Sequence, residues 1–221
     1  MGGTKEAPPR PYHHGDLRRG LVDAARKLLE REGPTALSLR AVAREAGVSP
    51  AAPYHHFKDK GELMAAVAQQ GWELLNGSLA AARDLADGAR ARMSELGVAY
   101  VKFARENPAL YRVMYDSFRE AEALPGRMDE SDSAFCRVRE SLIEGGADPD
   151  DWVGLELAAV AAWCASHGLA EMAGFAQFER LKDAMGGEDA FLHGVFDHLR
   201  VYANILRAPA STNATPPKRA V

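Results

Sequence analysis

Apolar side chains in this chain recur three and four residues apart along most of its length. Leu17, Leu21, Ala24, Ala25, Leu28 and Leu29 make one such stripe, and Leu39, Val42, Ala43 and Ala46 make a shorter one. That spacing puts the apolar groups on one face of a helix. No stretch alternates with a period of two, and no Asn-Gly hairpin signal occurs. The chain is therefore expected to be all-α. With 221 residues, 47% of them hydrophobic, it can bury a real core.

Punctuation places the helices. The first stripe stops at Gly33-Pro34. Ser38 suits the N-cap of the second helix, and Gly47 follows its last periodic residue, where a left-handed C-cap is wanted. Ser49 followed by Pro50 reads as another helix start, so a short third helix is expected from Pro50 to His56. Lys60 opens a long fourth helix reaching Ala86. Five more are expected over 89–106, 108–118, 129–145, 149–174 and 188–207, separated by Pro and Gly pairs. The segment 149–174, opened by Asp148, Pro149, Asp150 and Asp151, is apolar nearly all round and is expected to be buried on more than one side. Both ends, 1–11 and 208–221, are rich in Pro, Ala and polar residues and read as disordered.

Charge and chemistry narrow the function. Residues 1–60 hold eleven Lys/Arg against seven Asp/Glu, and residues 61–221 hold sixteen against twenty-four, giving the net −4 of the whole. A basic front and an acidic rear point the front toward a polyanion. Two cysteines, Cys136 and Cys164, exclude a disulfide scaffold and are expected as small buried apolar groups. The uncharged stretch Leu157 to Ala170 is fourteen residues, short of the roughly 20 a membrane helix needs. The start, MGGTKEAPPRPYHHG, has no apolar signal region and breaks the myristoylation pattern at Glu6, so a cytoplasmic protein is expected. There is no GxSxG, no Gly-rich phosphate loop and no HExxH, so neither an enzyme nor a cofactor is expected. His193 and His198 are five apart, misaligned for joint metal binding on a helix. His13-His14 and His55-His56 are adjacent and diverge.

Two short helices joined around Gly47 and braced by a third form the DNA-reading arrangement of a helix-turn-helix. The stretch LSLRAVAREAGVSPAAPYHHFKDKGELMAAV, Leu37 to Val67, resembles the DNA-binding domain of the TetR family of bacterial repressors. The resemblance runs through Ala43, Ala46, Gly47, Val48, Ser49, Tyr54, His56, Phe57, Lys60 and Leu63 and covers about residues 14–74. It implies a helix-turn-helix domain over 12–60 and a larger helical effector-binding and dimerisation domain over 61–207. It further implies double-stranded operator DNA and a small-molecule effector as partners.

By that resemblance Ser38 and Ser49 meet phosphates at helix N-termini, and Arg40 reaches a base edge, where its fork fits guanine. Pro50, Ala51 and Ala52 match the tip of the recognition helix, where only apolar contact such as a thymine methyl is available. Tyr54, His55 and His56 match a segment that grips the DNA backbone, and Lys60 matches a phosphate-binding lysine. Tyr54 has a core alternative, and Arg44 has a solvated-face alternative. Val48 and Phe57 read as core. Pro53 stands where the family often carries a branched apolar residue, so specificity is expected to lean on Arg40, His55 and DNA shape. Arg10 is either a minor-groove arm or a solvated tail.

The segments NPALYRVMY (Asn107 to Tyr115) and WCASHG (Trp163 to Gly168) resemble a TetR subgroup with a Trp-x-x-x-His-Gly signature. Trp163 and His167 share a helix face and belong either to a ligand pocket or to the core. Further pocket candidates are Tyr100, Phe103, Tyr111, Met114, Tyr115, Phe118 and Phe135. Few charges interleave with them, which favours an apolar or weakly polar effector. The helices 149–174 and 188–207 are expected to pair two chains into a homodimer, as they do in the resembling family. Alternatives are an activator or constitutive DNA-binding protein of the same fold, and a helical module docking an acidic protein.

Overall fold

The apolar stripes become helices, and no strand occurs among the described residues. The structure is a computed structural model that describes residues 14–120 and 133–205, with side chains except at 14–16, 89–90, 117–120 and 200–205. The expected arm 1–11, with Arg10, and the expected tail 208–221 lie outside the described residues.

The chain divides into two units. The first takes residues 1–70 and returns for Ala109–Ser117, and the second takes the rest. The first unit thus includes the start of the long helix that begins at Lys60. Leu63, Val67 and Ala68 of that helix are buried.

In the first unit, α1 (His14–Glu32) buries Leu21, Ala25, Leu28 and Leu29, the stripe seen in the sequence. Helix α2 (Leu39–Glu45) starts where the Ser38 hydroxyl accepts the Ala41 N–H at 3.1 Å. It ends as Gly47 turns to φ +68°, which lets the Val48 N–H reach the Ala43 carbonyl at 3.0 Å. Helix α3 (Lys60–Leu85) starts on a reciprocal cap: Asp59 accepts the Glu62 N–H at 2.9 Å and Glu62 accepts the Lys58 N–H at 2.7 Å.

The expected third helix over 50–56 is instead a single 3-10 turn, Ala52–His55. Ala51 occupies the N-cap position and no side chain caps it, so Ser49 is not the cap the sequence suggested. Pro53 supplies the reason. It has no N–H to close an α-helical bond, so the turn closes through Tyr54 N–H to the Ala51 carbonyl at 3.1 Å and His56 N–H to the Pro53 carbonyl at 2.9 Å.

The second unit is built on α4 (Ala89–Glu106), α6 (Ala134–Glu144), α7 (Trp152–Met172) and α9 (Glu188–Ile205), with α8 (Glu179–Met185) against α9. Between α4 and α6 in the chain, α5 (Pro108–Glu120) contributes Ala109–Ser117 to the first unit. There the Glu30 carboxylate of α1 accepts the Leu110 N–H at 2.9 Å and the Ala109 N–H at 3.4 Å, capping the start of α5. Val98, Val101, Ala173, Phe191 and Leu192 form one apolar cluster of the second unit, and Phe135, Val138 and Ala159 form another.

Three expectations change. Helix α7 starts at Trp152, capped by Asp151 onto the Gly154 N–H at 3.0 Å, rather than at 149. It buries only Ala159 and Ser166, while Leu157 is 66% exposed and Val160 45%. A helix apolar nearly all round thus leaves Leu157, Val160 and Met172 exposed. Its 21 residues are long and apolar enough to cross a membrane by length and composition alone. Cys164, also on α7, is exposed, whereas Cys136 is buried as expected. Helix α8 is not evident in the sequence because it is short and its buried residue is Lys182, whose ammonium reaches Glu179 at 2.8 Å.

The first unit rests on its apolar core. Leu29→Ala, at a fully buried position, is expected to cost about 2–5 kcal/mol in urea unfolding followed by circular dichroism.

Candidate functional site

The candidate DNA contacts gather on α2, the 3-10 turn and the start of α3, and α2 packs directly on the turn. Arg40 and Arg44 are both exposed on α2, one helical turn apart. Ser49, Pro50, Ala51 and His55 are exposed, Tyr54 is 54% exposed, and Ala52 and His56 are half-buried. Pro53 and Phe57 are buried beneath them and Val48 is half-buried. The exposure of Tyr54 places it on the surface rather than in the core. Ser38 is exposed while its hydroxyl caps α2, and exposed Lys60 donates to the Pro34 carbonyl at 2.9 Å.

An ion pair ties α1 to α2: Arg31 forks onto Glu45 at 2.7 and 3.2 Å. The hydrogen bond from Arg31 holds the Glu45 carboxyl below its ordinary pKa, and the Arg31 guanidinium is raised in turn by the same bond. Glu45 is thereby kept as a neutralised partner beside the cationic Arg44.

The second unit holds a cavity of about 260 Å³. Helix α4 supplies Met93, Ser94, Gly97 and Tyr100 to its wall; α7 supplies Ala158, Ala162, Trp163 and Ser166; Leu79, Val138, Leu142 and Phe196 help complete it. None of the lining side chains is charged. Trp163 is its aromatic centre, with Tyr100 edge-on at 5.2 Å, Phe135 at 5.9 Å and Trp72 stacked at 6.3 Å between ring centroids. The Tyr100 phenol lies 3.4 Å from His167 Nδ1.

Of the ligand candidates read from sequence, Tyr100 and Trp163 line this cavity. Phe135 and His167 stand behind those two, and Phe103 is buried on α4 without lining the wall. Tyr111, Met114 and Tyr115 belong to the first unit, where Tyr111 and Tyr115 pack ring on ring at 4.9 Å. The Phe118 side chain lies outside the described residues. The sequence did not reveal Ser94, Gly97 or the alanines of α7. Their signal was available: Ala158, Ala161, Ala162 and Ala165 recur at helical spacing, and small side chains leave room where aromatic ones fill it.

Two family models match the chain. "Bacterial regulatory proteins, tetR family" covers residues 21–67, and "Tetracyclin repressor-like, C-terminal domain" covers residues 93–215. The chain belongs to the TetR family of bacterial regulatory proteins. It is 31% identical over 136 residues to the uncharacterized HTH-type transcriptional regulator YobS of Bacillus subtilis, a match covering 60% of this chain and 66% of that one. It is 32% identical over 108 residues to the HTH-type transcriptional regulator BetI of Rhizobium meliloti, covering 48% and 53%. The chain thus spans less than two thirds of either relative. A solved Rhodococcus protein of unknown function matches with TM-score 0.67 and 34% identity over 86% of this chain and 96% of that one. As a TetR-family member the protein is a DNA-binding transcription regulator with a helix-turn-helix. Among the described residues, no group of three or more His, Cys, Asp or Glu is placed to hold a metal.

Beside the cavity, polar links join α4 to α9. Ser94 donates to Asp197 at 3.0 Å, Lys102 meets Asp189 at 2.9 Å, and Arg105 pairs with Glu188. His193 bridges Glu95 at 2.9 Å and the Asp189 carbonyl at 2.7 Å. Burial opposes charge on His193, but the Asp189 carbonyl and the Glu95 carboxylate outweigh it and raise its pKa above the ordinary value. A raised histidine adds stability that is complete below its unfolded pKa of about 6.5 and is lost as pH rises through the folded value. Thermal unfolding between pH 5.5 and 8.5 should show this loss, and His193→Gln should flatten it.

Proposed function

We propose that this regulator is a repressor: a homodimer binds a palindromic operator and releases it when a small apolar or weakly polar effector occupies the second unit. The observation that carries the reading is the uncharged cavity of about 260 Å³ in a chain whose first unit is a helix-turn-helix. The chain passes between the units within α3, at Pro108–Ala109 and at Ser117–Phe118, so a shift of α4 has a covalent route to α5. An effector moves that equilibrium only by binding one arrangement better, and about 1–3 kcal/mol of coupling gives roughly 5- to 150-fold loss of operator affinity.

On the DNA, Arg40 is the base-reading residue of this proposal. Ser38, Ser49, Tyr54, His55, His56 and Lys60 hold phosphates, and Pro50, Ala51 and Ala52 offer apolar contact. Binding to duplex DNA flanking the protein's own gene, followed by fluorescence anisotropy, should weaken steeply with salt as phosphate contacts release counterions. Arg40→Ala should cost about 1–3 kcal/mol on the operator and relax discrimination at one base pair of each half-site. If Arg40→Ala retains full discrimination against scrambled DNA, the role of Arg40 is overturned.

The dimer is assigned to α7 and α9, where Leu157, Val160, Met172 and Leu199 are exposed. The cavity wall includes Ala161 and Leu199, both exposed, so the partner also closes its open side. Leu157→Asp with Val160→Asp should sediment as a folded monomer and lose operator binding. A dimer that persists would move the interface elsewhere.

A further inference from the structure

We propose that the cavity takes an uncharged, largely hydrocarbon ligand of roughly ten heavy atoms, and that Gly97 and Phe196 set its upper size. This deepens the effector-responsive reading above and rests on it only for the consequence at the operator.

Head-group chemistry follows from the wall. It presents no cation and no carboxylate. Its hydroxyls are already engaged: Ser94 donates to Asp197 at 3.0 Å, Ser166 donates to the Ala162 carbonyl at 2.9 Å, and the Tyr100 phenol sits 3.4 Å from His167. What remains for a ligand is oxygen lone pairs, enough to accept one hydroxyl proton. An anionic ligand would shed its water, find no cation, and stand near the Asp197 carboxylate behind Ser94. A cationic ligand would shed its water with no carboxylate on the wall. Either loses the desolvation energy outright.

Size follows from volume and from one close contact. An apolar cavity of about 150 Å³ takes benzene, so one of about 260 Å³ takes roughly ten heavy atoms on the same scale. The Phe196 ring of α9 lies against the bare backbone of α4 at Gly97. A Cβ there would fall 2.4 Å from Phe196 Cε1 and 2.5 Å from its Cζ, so the ring keeps its place only because residue 97 is glycine. Both residues line the cavity. The ring is thus a piece of wall seated on bare backbone, and its position decides how much of the void is open.

The test is calorimetric titration of the full chain with 1-alkanols of increasing length, with nonanoate and nonylammonium as charged counterparts. Affinity is expected to rise about fourfold per methylene and to stop rising at about nine carbons. Both charged probes should bind at least about tenfold more weakly than 1-nonanol. Phe196→Ala should move the break to longer chains and Gly97→Ala to shorter ones. Ala162→Phe and Ala158→Phe, each first checked for helical content and cooperative unfolding, should remove binding. Equal affinity for all three head groups overturns the uncharged ligand. A slope without a break, or binding that survives both filled variants, overturns the cavity as the site, and a break unmoved by either Phe196→Ala or Gly97→Ala overturns the size limit. Operator release is read separately by anisotropy. Binding with the expected break but without release supports the site and overturns the effector-responsive reading instead.

Discussion

Helix α7 is apolar nearly all round, yet among the described residues it buries only Ala159 and Ser166. Much of the second unit follows from this imbalance. The covered side meets α4 and α6, and because it carries Ala158, Ala162 and Ala165 the neighbours cannot close on it completely, which leaves the cavity. The uncovered side carries Leu157 and Val160 in water. Exposing large aliphatic groups in a continuous strip is unfavourable by about 25 cal/mol per Å² of surface left wet. One helix therefore supplies both a wall of the cavity and an exposed apolar surface.

The first unit solves a different problem with less material. The element after α2 is one 3-10 turn, too short to hold itself together. It is held from below by buried Pro53 and Phe57 and from beside by α2. The Arg31–Glu45 fork is the most visible tie between α1 and α2, but both partners are substantially exposed, and such pairs contribute about 0–1 kcal/mol. Burial of Leu21, Leu28, Leu29, Val42 and Leu63 stabilises the unit far more. The fork instead sets charge: it neutralises Glu45 next to the cationic residues that a phosphate backbone would meet.

Much of this is legible in the residues. Helix order, the Ser38 cap, the Gly47 turn and the front motif all depend on neighbours within a few positions, where spacing and side-chain chemistry act directly. A local rule fails where it meets a competing one. Ser49-Pro50 has the form of a helix start, but Pro53 removes the amide that a helix would need next. Lys182 hides α8 because a buried ammonium looks like surface in a sequence. Aromatic residues mark the pocket poorly, since they fill space as readily as they line it; Tyr111, Met114 and Tyr115 belong to the other unit.

By itself, the sequence determined the all-α class and the family, because each is written in periodicity and in fixed-spacing motifs close in the chain. Tertiary structure alone decided where the cavity lies, which of its walls are polar, and that Gly97 of α4 faces Phe196 of α9. Those facts depend on helices far apart in the chain coming into contact, and on the volume that small side chains fail to fill. No spacing rule within one helix encodes either quantity.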